Sequence, residues 1–391
     1  MTVRYNCSSG MQMSRVVLAG LWFAILNAAQ PGSDNQVLQR AVNLHQSGNY
    51  PAAIEAYTQF LKAHPDAAPV RSNLGAALAH EGRFDEAIRE YRLALDSDRA
   101  NSKVRLNLAL AYFKTAQLGE AAAELAVVRQ SEPENQQVTL LLAASYLRQG
   151  ENRKVISLLD PIWRQNDGNL AIAYLLGAAL IRDDQVERGQ VLIDRILKNG
   201  ESAEAHLLMG TAKFMAHEFA GARTDLERAV QLKPNLPEAQ SYLGLVLLRT
   251  GDTAGAERAF RREVELDPND FNATLQLGGL LRQDGKYGEA RALIERALRI
   301  RPGDYGVRYQ IGSLDLAEGR LKEAQAGLES LVKDSPGFLP AHVSLATIYY
   351  REKRKEDGDR EREIVRKLNA EVQAKQPGVQ APANPQAGTK N

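Results

Sequence analysis

The stretch GRFDEAIREYRLALDSD, residues 82–98, predicts an amphipathic helix that follows a glycine, and the chain contains further stretches of the same design. Residues 48–61 read GNYPAAIEAYTQFL, residues 285–298 read GKYGEARALIERAL, and residues 319–331 read GRLKEAQAGLESL. Each has an aromatic residue or Leu two positions after the Gly, Ala three positions later, and then apolar residues at helical spacing. Such recurrence indicates a stacked array of helical units rather than one globular domain.

Small residues recur at a fixed interval through most of the chain. The first series is spaced by 34 residues, with one step of 33: Ala41, Gly75, Ala109, Ala143, Gly177, Gly210, Gly244, Gly278 and Gly312. The second series lies twelve residues later and is mostly Ala: Ala53, Ala87, Ala121, Val155, Gly189, Ala222, Ala256, Ala290 and Ala324. Two helices approach closely only where small side chains lie at the contact, because protein interiors are close-packed. The two series therefore predict where one helix crosses the next.

Gly and Pro divide each unit in two. Gly lies between the two apolar stripes at Gly48, Gly82, Gly150, Gly251, Gly285 and Gly319, where a left-handed residue ends a helix without strain at Cβ. Pro closes the unit at Pro65, Pro133, Pro234, Pro268, Pro302 and Pro336, because it cannot continue a helix. Each unit is therefore predicted to be a helix, a tight turn, a second helix and a closing turn.

A 34-residue helical pair with this pattern resembles the tetratricopeptide repeat, as residues 73–98 (NLGAALAHEGRFDEAIREYRLALDSD) and 242–270 (YLGLVLLRTGDTAGAERAFRREVELDPND) illustrate. The resemblance implies an all-α fold, a right-handed superhelical α-solenoid of stacked helix-turn-helix repeats. Nine predicted repeats cover residues 34–338, with the boundaries 34–67, 68–101, 102–135, 136–169, 170–202, 203–236, 237–270, 271–304 and 305–338.

The predicted array ends in a charged helix. Residues 339–371 begin like the first helix of another repeat and continue into a segment with eight positive and six negative residues between Arg351 and Lys367. The mixed charge favours a partial repeat with a solvated capping helix over a basic interaction helix. Residues 372–391 are Pro, Gly, Ala and polar residues, a composition typical of a disordered tail.

The fourth and fifth repeats depart from the pattern. Pro161 falls inside a predicted second helix, Asp184 replaces the turn Gly, Gly189 replaces the Ala, and Glu201 replaces the closing Pro. Sequence drift and a hinge near residues 150–205 are both consistent with these changes.

The amino-terminal residues 1–29 resemble a targeting segment. Arg15 precedes an apolar run over residues 16–26, and the small residues Ala28 and Ala29 follow it. This order is typical of a secretory signal peptide. The run is about half of the ~20 residues that a membrane-spanning helix needs. We expect a bacterial protein that is periplasmic or secreted; the alternative is an uncleaved inner-membrane anchor, with the chain facing the periplasm.

The composition excludes several function classes. Lys and Arg number 49 and Asp and Glu 48, a balance that argues against binding to nucleic acid. One Cys and six scattered His provide no metal-binding or haem-attachment spacing. The sequence contains no phosphate-binding loop and no nucleophile elbow. We therefore predict no enzyme activity, no cofactor and no metal.

The family resemblance implies a concave groove, lined by the first helix of each repeat, that binds a peptide or a partner helix. The candidate groove residues are Leu106, Leu110, Phe113, Lys114, Leu147, Arg148, Tyr174, Arg182, Phe214 and Arg249. One groove-edge position reads Gln46, His80, Lys114, Arg148, Arg182, Met215, Arg249, Gln283 and Ala317 through the repeats, with four basic residues and no acid. This row is either an ordinary solvated edge or a rim that selects acidic partners.

These observations predict a protein-protein interaction scaffold in the bacterial envelope. Its partner is a protein or peptide, and the membrane is involved only through residues 1–29 if that segment is not cleaved. The first alternative is a membrane-anchored assembly factor for a secretion, pilus or polysaccharide export machine. The second, of another class, is an accessory subunit of a glycosyltransferase-like enzyme.

Overall fold

The computed structural model describes residues 33–374 apart from residue 199, and twenty α-helices follow one another through this part of the chain. They are α1 Ser33–Gln46, α2 Tyr50–Ala63, α3 Ala68–His80, α4 Phe84–Ser97, α5 Ser102–Lys114, α6 Leu118–Ser131, α7 Gln136–Gln149, α8 Asn152–Gln165, α9 Leu170–Arg182, α10 Val186–Leu197, α11 Ala203–Met215, α12 Phe219–Leu232, α13 Ala239–Arg249, α14 Thr253–Leu266, α15 Phe271–Gln283, α16 Tyr287–Ile300, α17 Tyr305–Ala317, α18 Leu321–Asp334, α19 Leu339–Arg351 and α20 Lys355–Ala374. The predicted all-α solenoid is confirmed.

The helices occur in pairs, and each of the nine predicted repeat windows holds one pair, except that α1 begins one residue before the first window. The helices α19 and α20 form a tenth pair. The helix α20 continues to Ala374, so the prediction that the tail begins at residue 372 is wrong by three residues. The segment that extends it contains Gln and Ala, which favour helix. The predicted targeting segment 1–29 and the rest of the tail lie outside the described residues.

Two compact units divide the chain, one ending at Thr274 and the other beginning at Leu275, a boundary that falls inside α15. In the first unit each helix packs against the next, and the first helices also pack on one another, α7 against α9 and α9 against α11. In the second unit α17 packs against α18 and α19 in the same way. Within residues 33–374, leaving out residue 199, no helix combines the length and the apolar character that a membrane span requires.

The small-residue series lie at close helix contacts, as predicted. A Cβ atom added at Gly75 would lie 2.7 Å from Cε1 of Tyr91, and one added at Gly244 would lie 2.6 Å from Cε1 of Phe260. Ala109, in the first series, is fully buried. These distances are too short for a real Cβ, so the large side chain of one helix takes the space that a larger residue would fill on its neighbour.

The turn between the two helices of a pair keeps one backbone conformation whichever residue it contains. Gly has φ between 74° and 87° at this position in six repeats, at Gly48, Gly82, Gly150, Gly251, Gly285 and Gly319. In the other four pairs the residues Ala116, Asp184, His217 and Lys353 adopt φ of 62° or 63°. Asp184 therefore preserves the turn of the fifth repeat, although an L-residue is strained there by roughly 1–2 kcal/mol.

A recurring polar link connects the two helices of several repeats. Arg71 in α3 donates to the Glu90 carboxylate in α4 at 2.6 Å and to the backbone carbonyl of Pro65 at 2.8 Å. Arg105 bonds Glu124 and the Arg99 carbonyl in the same way. In the second compact unit, His342 has its ring nitrogens 2.6 Å from Glu361 and 2.9 Å from the Pro336 carbonyl. In each case the link joins the same position of the first helix to the residue 19 positions later, in the second helix of the pair.

Candidate functional site

The predicted groove edge lies at the carboxyl ends of α5, α7 and α9, where two loops of later repeats meet it. One loop joins α12 to α13 and contains Glu238, and the other joins α14 to α15 and contains Asp267 and Asn269. Both loops belong to the first compact unit, so all of these contacts lie within it. We call the three groove-edge residues Lys114, Arg148 and Arg182 the basic rim, and the two loops the acidic loops.

Arg148 lies between an aromatic ring and a carboxylate. Its guanidinium carbon is 4.7 Å from the centroid of the Phe113 ring, a distance at which a cation interacts with the face of the ring. Its Nη2 donates to Oδ2 of Asp267, which is 119 residues later in the sequence. The Arg148 and Asp267 side chains are 21% and 18% exposed, so the ion pair is largely removed from water.

Arg182 has the same arrangement one repeat later. Its Nη2 donates to Oε2 of Glu238, and its guanidinium carbon is 5.5 Å from the centroid of the Tyr242 ring. Burial lowers the pKa of Arg182, but the Glu238 carboxylate and the neighbouring tyrosines outweigh that effect, and the pKa is raised overall. The Nε of Arg182 is buried and has no hydrogen-bond partner among the described residues. One donor of this guanidinium therefore remains unsatisfied.

Lys114 completes the basic rim in a different way. Its side chain is exposed, and its backbone carbonyl accepts a hydrogen bond of 2.9 Å from Nδ2 of Asn269. The two residues are 155 positions apart. The loop that carries Asp267 and Asn269 thus contacts both α5 and α7.

Behind the acidic loops lie two buried carboxyl groups. Glu263 of α14 is fully buried and accepts hydrogen bonds from the backbone N–H of Glu238 at 2.8 Å and of Ser241 at 3.3 Å. Asp270 accepts a 2.7 Å hydrogen bond from the Ser241 hydroxyl. Burial raises the pKa of Glu263 to about 9, and the charges of Asp270 and Glu238 add to that effect. Burial, with the charge of Glu238, also raises the pKa of Asp270, to about 6.

One of these buried carboxyl groups bonds the backbone at the start of α13. This helix begins at Ala239, and the residue before it, Glu238, has φ of 68°, in the left-handed region that favours Gly. The Glu263 carboxyl takes the place of a side-chain cap, because it accepts from N–H groups at this helix start. Glu238 is thereby held with its own carboxylate on Arg182.

Two of the six apolar groove candidates are buried, and the other four are partly buried. Leu147 is 4% exposed and Phe113 is 8% exposed. Leu106 and Leu110 are partly buried against a cluster that contains Ala109 and Leu125. Phe113 and Leu147 are therefore part of the core, whereas the other apolar candidates keep a partly exposed surface, and their role in binding a partner stays a prediction.

Tyr174 and Phe214 belong to a second cluster, and they pack partly buried against Leu207, Leu226 and Tyr242. The rings of Phe214 and Tyr242 have centroids 6.3 Å apart. The last groove candidate, Arg249, is exposed. The structure thus places Phe113 against Arg148, and Tyr242 against Arg182 with Tyr174 in the same cluster, and it leaves Arg249 and the Lys114 side chain at the surface.

The interpretation of the groove edge as a solvated row is wrong for Arg148 and Arg182, because acids from distant repeats cover both. Sequence reasoning missed Glu238, Asp267 and Asn269, since they lie in loops between repeats and outside the row that the register compares. A signal existed: the closing loops read LPEAQ over residues 236–240 and LDPND over residues 266–270, with acids opposite a row that has none. Register alone did not show that these loops return to the third, fourth and fifth repeats.

No group of three His, Cys, Asp or Glu residues in the described part of the chain is arranged to hold a metal ion. The site consists of guanidinium groups, aromatic rings and carboxylates. Guanidinium groups form ion pairs with carboxylates and contact the faces of aromatic rings.

Two family models described as Tetratricopeptide repeat match the chain. One matches residues 38–102, 207–271 and 242–305, and the other matches residues 78–145 and 281–347. Together the matches cover more than half of the 391 residues and leave out residues 146–206. No curated protein matches the sequence.

Solved structures share the fold at low sequence identity. The crystal structure of a tetratricopeptide repeat protein from Parabacteroides merdae is 15% identical with a TM-score of 0.54, and the match covers 62% of this chain and 97% of that one. The crystal structure of the APC/C hetero-tetramer Cut9-Hcn1 is 14% identical with a TM-score of 0.54, and the match covers 86% of this chain and 73% of that one. On the family matches, with the same fold in these structures, the chain belongs to the tetratricopeptide repeat family.

Proposed function

We propose that this protein is a non-catalytic scaffold that binds a peptide or helix of a partner protein along the first helices of its third to sixth repeats. Family membership supports the general role, since tetratricopeptide repeats are typical of protein-protein interaction. The observation that carries the proposal is the basic rim, where the equivalent ends of α5, α7 and α9 carry Lys114, Arg148 and Arg182, and the two arginines lie beside aromatic rings. Side chains repeated on neighbouring helices suit an extended or helical partner that crosses several repeats.

We also propose that the protein acts in the bacterial envelope, periplasmic or secreted. The support is the order of residues near the amino terminus, with Arg15, the apolar run over residues 16–26, and Ala28 and Ala29. Amino-terminal sequencing of the native protein tests this location. A mature chain that begins near Gln30 is the expected result, and a cytoplasmic chain that still contains Trp22 would contradict it.

Site-specific photo-crosslinking tests the surface. A photoreactive phenylalanine is placed at Lys114 on the rim and, as a matched control, at Val191, which is 64% exposed on the second helix α10. Irradiation in the native cells should attach one partner protein to position 114 and not to position 191. Attachment of the same proteins at both positions, or of none at position 114, would contradict the proposed binding surface.

A further inference from the structure

We infer that the acidic loops are an internal ligand of the basic rim, and that the partner segment is acidic and displaces them. This inference rests on the proposed function and names the chemistry of the partner. Its starting point is the long-range ion pairs Arg148–Asp267 and Arg182–Glu238. They place carboxylates from other repeats on the surface where the proposed partner binds.

The surroundings of Arg148 and Arg182 hold their guanidinium groups in orientations that suit a carboxylate. Phe113 and Tyr242 lie against the two guanidinium groups and limit their orientations. Guanidinium presents a planar fork of N–H donors that matches a carboxylate. Arg148 and Arg182 therefore form two neighbouring carboxylate sites, and both are filled by side chains of the protein itself.

The acidic loops fill these sites imperfectly. Arg182 keeps a buried Nε without a hydrogen-bond partner among the described residues. Glu238 occupies a left-handed backbone conformation, with φ of 68°, that favours Gly. Glu238 and Asp267 also lie near the buried carboxyls of Glu263 and Asp270, whose pKa values their charges raise. An external carboxylate that binds the guanidinium through both oxygens would satisfy Arg182 and relieve both the backbone strain and the crowding.

The distance between Arg148 and Arg182 sets the separation of the acidic residues in the partner segment. Arg148 and Arg182 are equivalent residues of α7 and α9, which pack against each other, and packed helices have axes about 8–10 Å apart. In the extended polyproline II conformation a chain has three residues per turn and advances about 3.1 Å per residue, so residues three apart lie on one face about 9 Å apart. The two sites therefore fit two acidic residues separated by two others, on an extended segment of a partner protein.

The test measures binding of a fluorescein-labelled peptide with the sequence GEAAEG to the whole chain by fluorescence anisotropy. The matched peptide GQAAQG has the same size and no side-chain charge. Asp267→Asn removes one internal carboxylate with little change of shape. It should raise affinity for GEAAEG about tenfold, the effect of one hydrogen bond to a charged group. Affinity for GQAAQG should not change.

Two further variants serve as controls for the effect of Asp267→Asn. Asp98→Asn changes the residue at the same repeat position as Asp267, in the loop after α4, and should leave binding unchanged. Arg148→Gln combined with Asp267→Asn should lose the tenfold gain, because the internal and external carboxylates share Arg148. Circular dichroism of each variant shows that it is folded.

Three outcomes would overturn the inference. They are equal affinity of the native chain and Asp267→Asn for GEAAEG, an equal gain for GQAAQG, and a gain that persists without Arg148. Crosslinking from Lys114 separates this failure from that of the proposed function. A partner captured there with the same efficiency in the native chain and in Asp267→Asn would leave the scaffold role standing and contradict the internal ligand.

Discussion

The fourth and fifth repeats differ from the second and third in how their polar side chains are used. In the second and third, Arg71–Glu90 and Arg105–Glu124 join the two helices of a single repeat. At the same positions the fourth repeat has Thr139 and Leu158, and the fifth has Ala173 and Leu192. The middle repeats thus lack this ion pair and have Thr, Ala and Leu at its positions.

Two arginines of the middle repeats bond distant repeats instead. Arg148 and Arg182 form ion pairs with residues 119 and 56 positions later. The family models match the repeats on both sides but leave out residues 146–206. In a repeat array stability is mostly a sum of terms between nearest neighbours. The comparison shows that ion pairs of the fourth and fifth repeats join them to later repeats that are not their neighbours in the sequence.

The largest expected effect comes from breaking that coupling. Arg182→Gln leaves the Glu238 carboxylate largely buried, beside Glu263, without its cation. We expect a loss of about 3–4 kcal/mol in the free energy of unfolding, since breaking a buried ion pair is strongly destabilising. Urea denaturation followed by circular dichroism measures it. Hydrogen exchange should become faster in α9 and in α13 together, and a change confined to α9 would contradict coupling between them.

A change inside α8 should strengthen the middle repeats. Pro161 lies in the interior of α8 and has no N–H to donate to the preceding turn. Pro161→Ala should stabilise the protein by about 2 kcal/mol, the ~3 kcal/mol of an interior proline reduced by its restriction of the unfolded chain. Ala replaces Pro at an exposed position, so packing changes little.

Urea denaturation measures the stability of Pro161→Ala, and amide hydrogen exchange in the same variant tests the hinge interpretation of residues 150–205. If that region is the weakest of the array, its amide exchange should slow in this variant relative to repeats seven and eight. Unchanged stability would mean that the proline ring is accommodated without a lost hydrogen bond.

The buried acid behind the loops predicts a dependence on pH. The pKa of Glu263 is raised from 4.5 to about 9, so the folded protein binds a proton that the unfolded chain releases above pH 4.5. Stability from this group is therefore complete at low pH and falls as pH rises towards 9, on the order of 1 kcal/mol per pH unit. Glu263→Gln should remove this slope between pH 6.5 and 8.5, where the carboxyl of Asp270, with its pKa of about 6, is already mostly ionised. Parallel slopes for the native chain and Glu263→Gln would show that the carboxyl is ionised in the folded state.

The smallest effect is expected in the flanking repeats. Arg105→Gln removes the link to Glu124, whose side chain is 23% exposed, and should lower the free energy of unfolding by about 1 kcal/mol. Its influence on hydrogen exchange should stay within α5 and α6 and their neighbours, because the link lies inside one repeat. Faster exchange in α13 would erase the distinction between the flanking and middle repeats.

The repeat and its two helices could be predicted from the sequence because they depend on local patterns. Apolar residues at helical spacing, Gly75 and Ala87 at crossing points, and Pro at closing turns act within some 34 residues. The turn at Asp184 shows that the pattern holds even where its usual residue is absent, since backbone geometry of the helical pair imposes the left-handed conformation. The row of basic residues also followed from register alone.

What covers that row was decided only by the tertiary structure. Whether Arg148 meets water or Asp267 depends on the curvature summed over three repeats, and small rotations at each helix contact add up along the array. The same curvature brings Asn269 to the carbonyl of Lys114. A local pattern defines each helix pair, but the meeting of residues 119 or 155 positions apart depends on every interface between them.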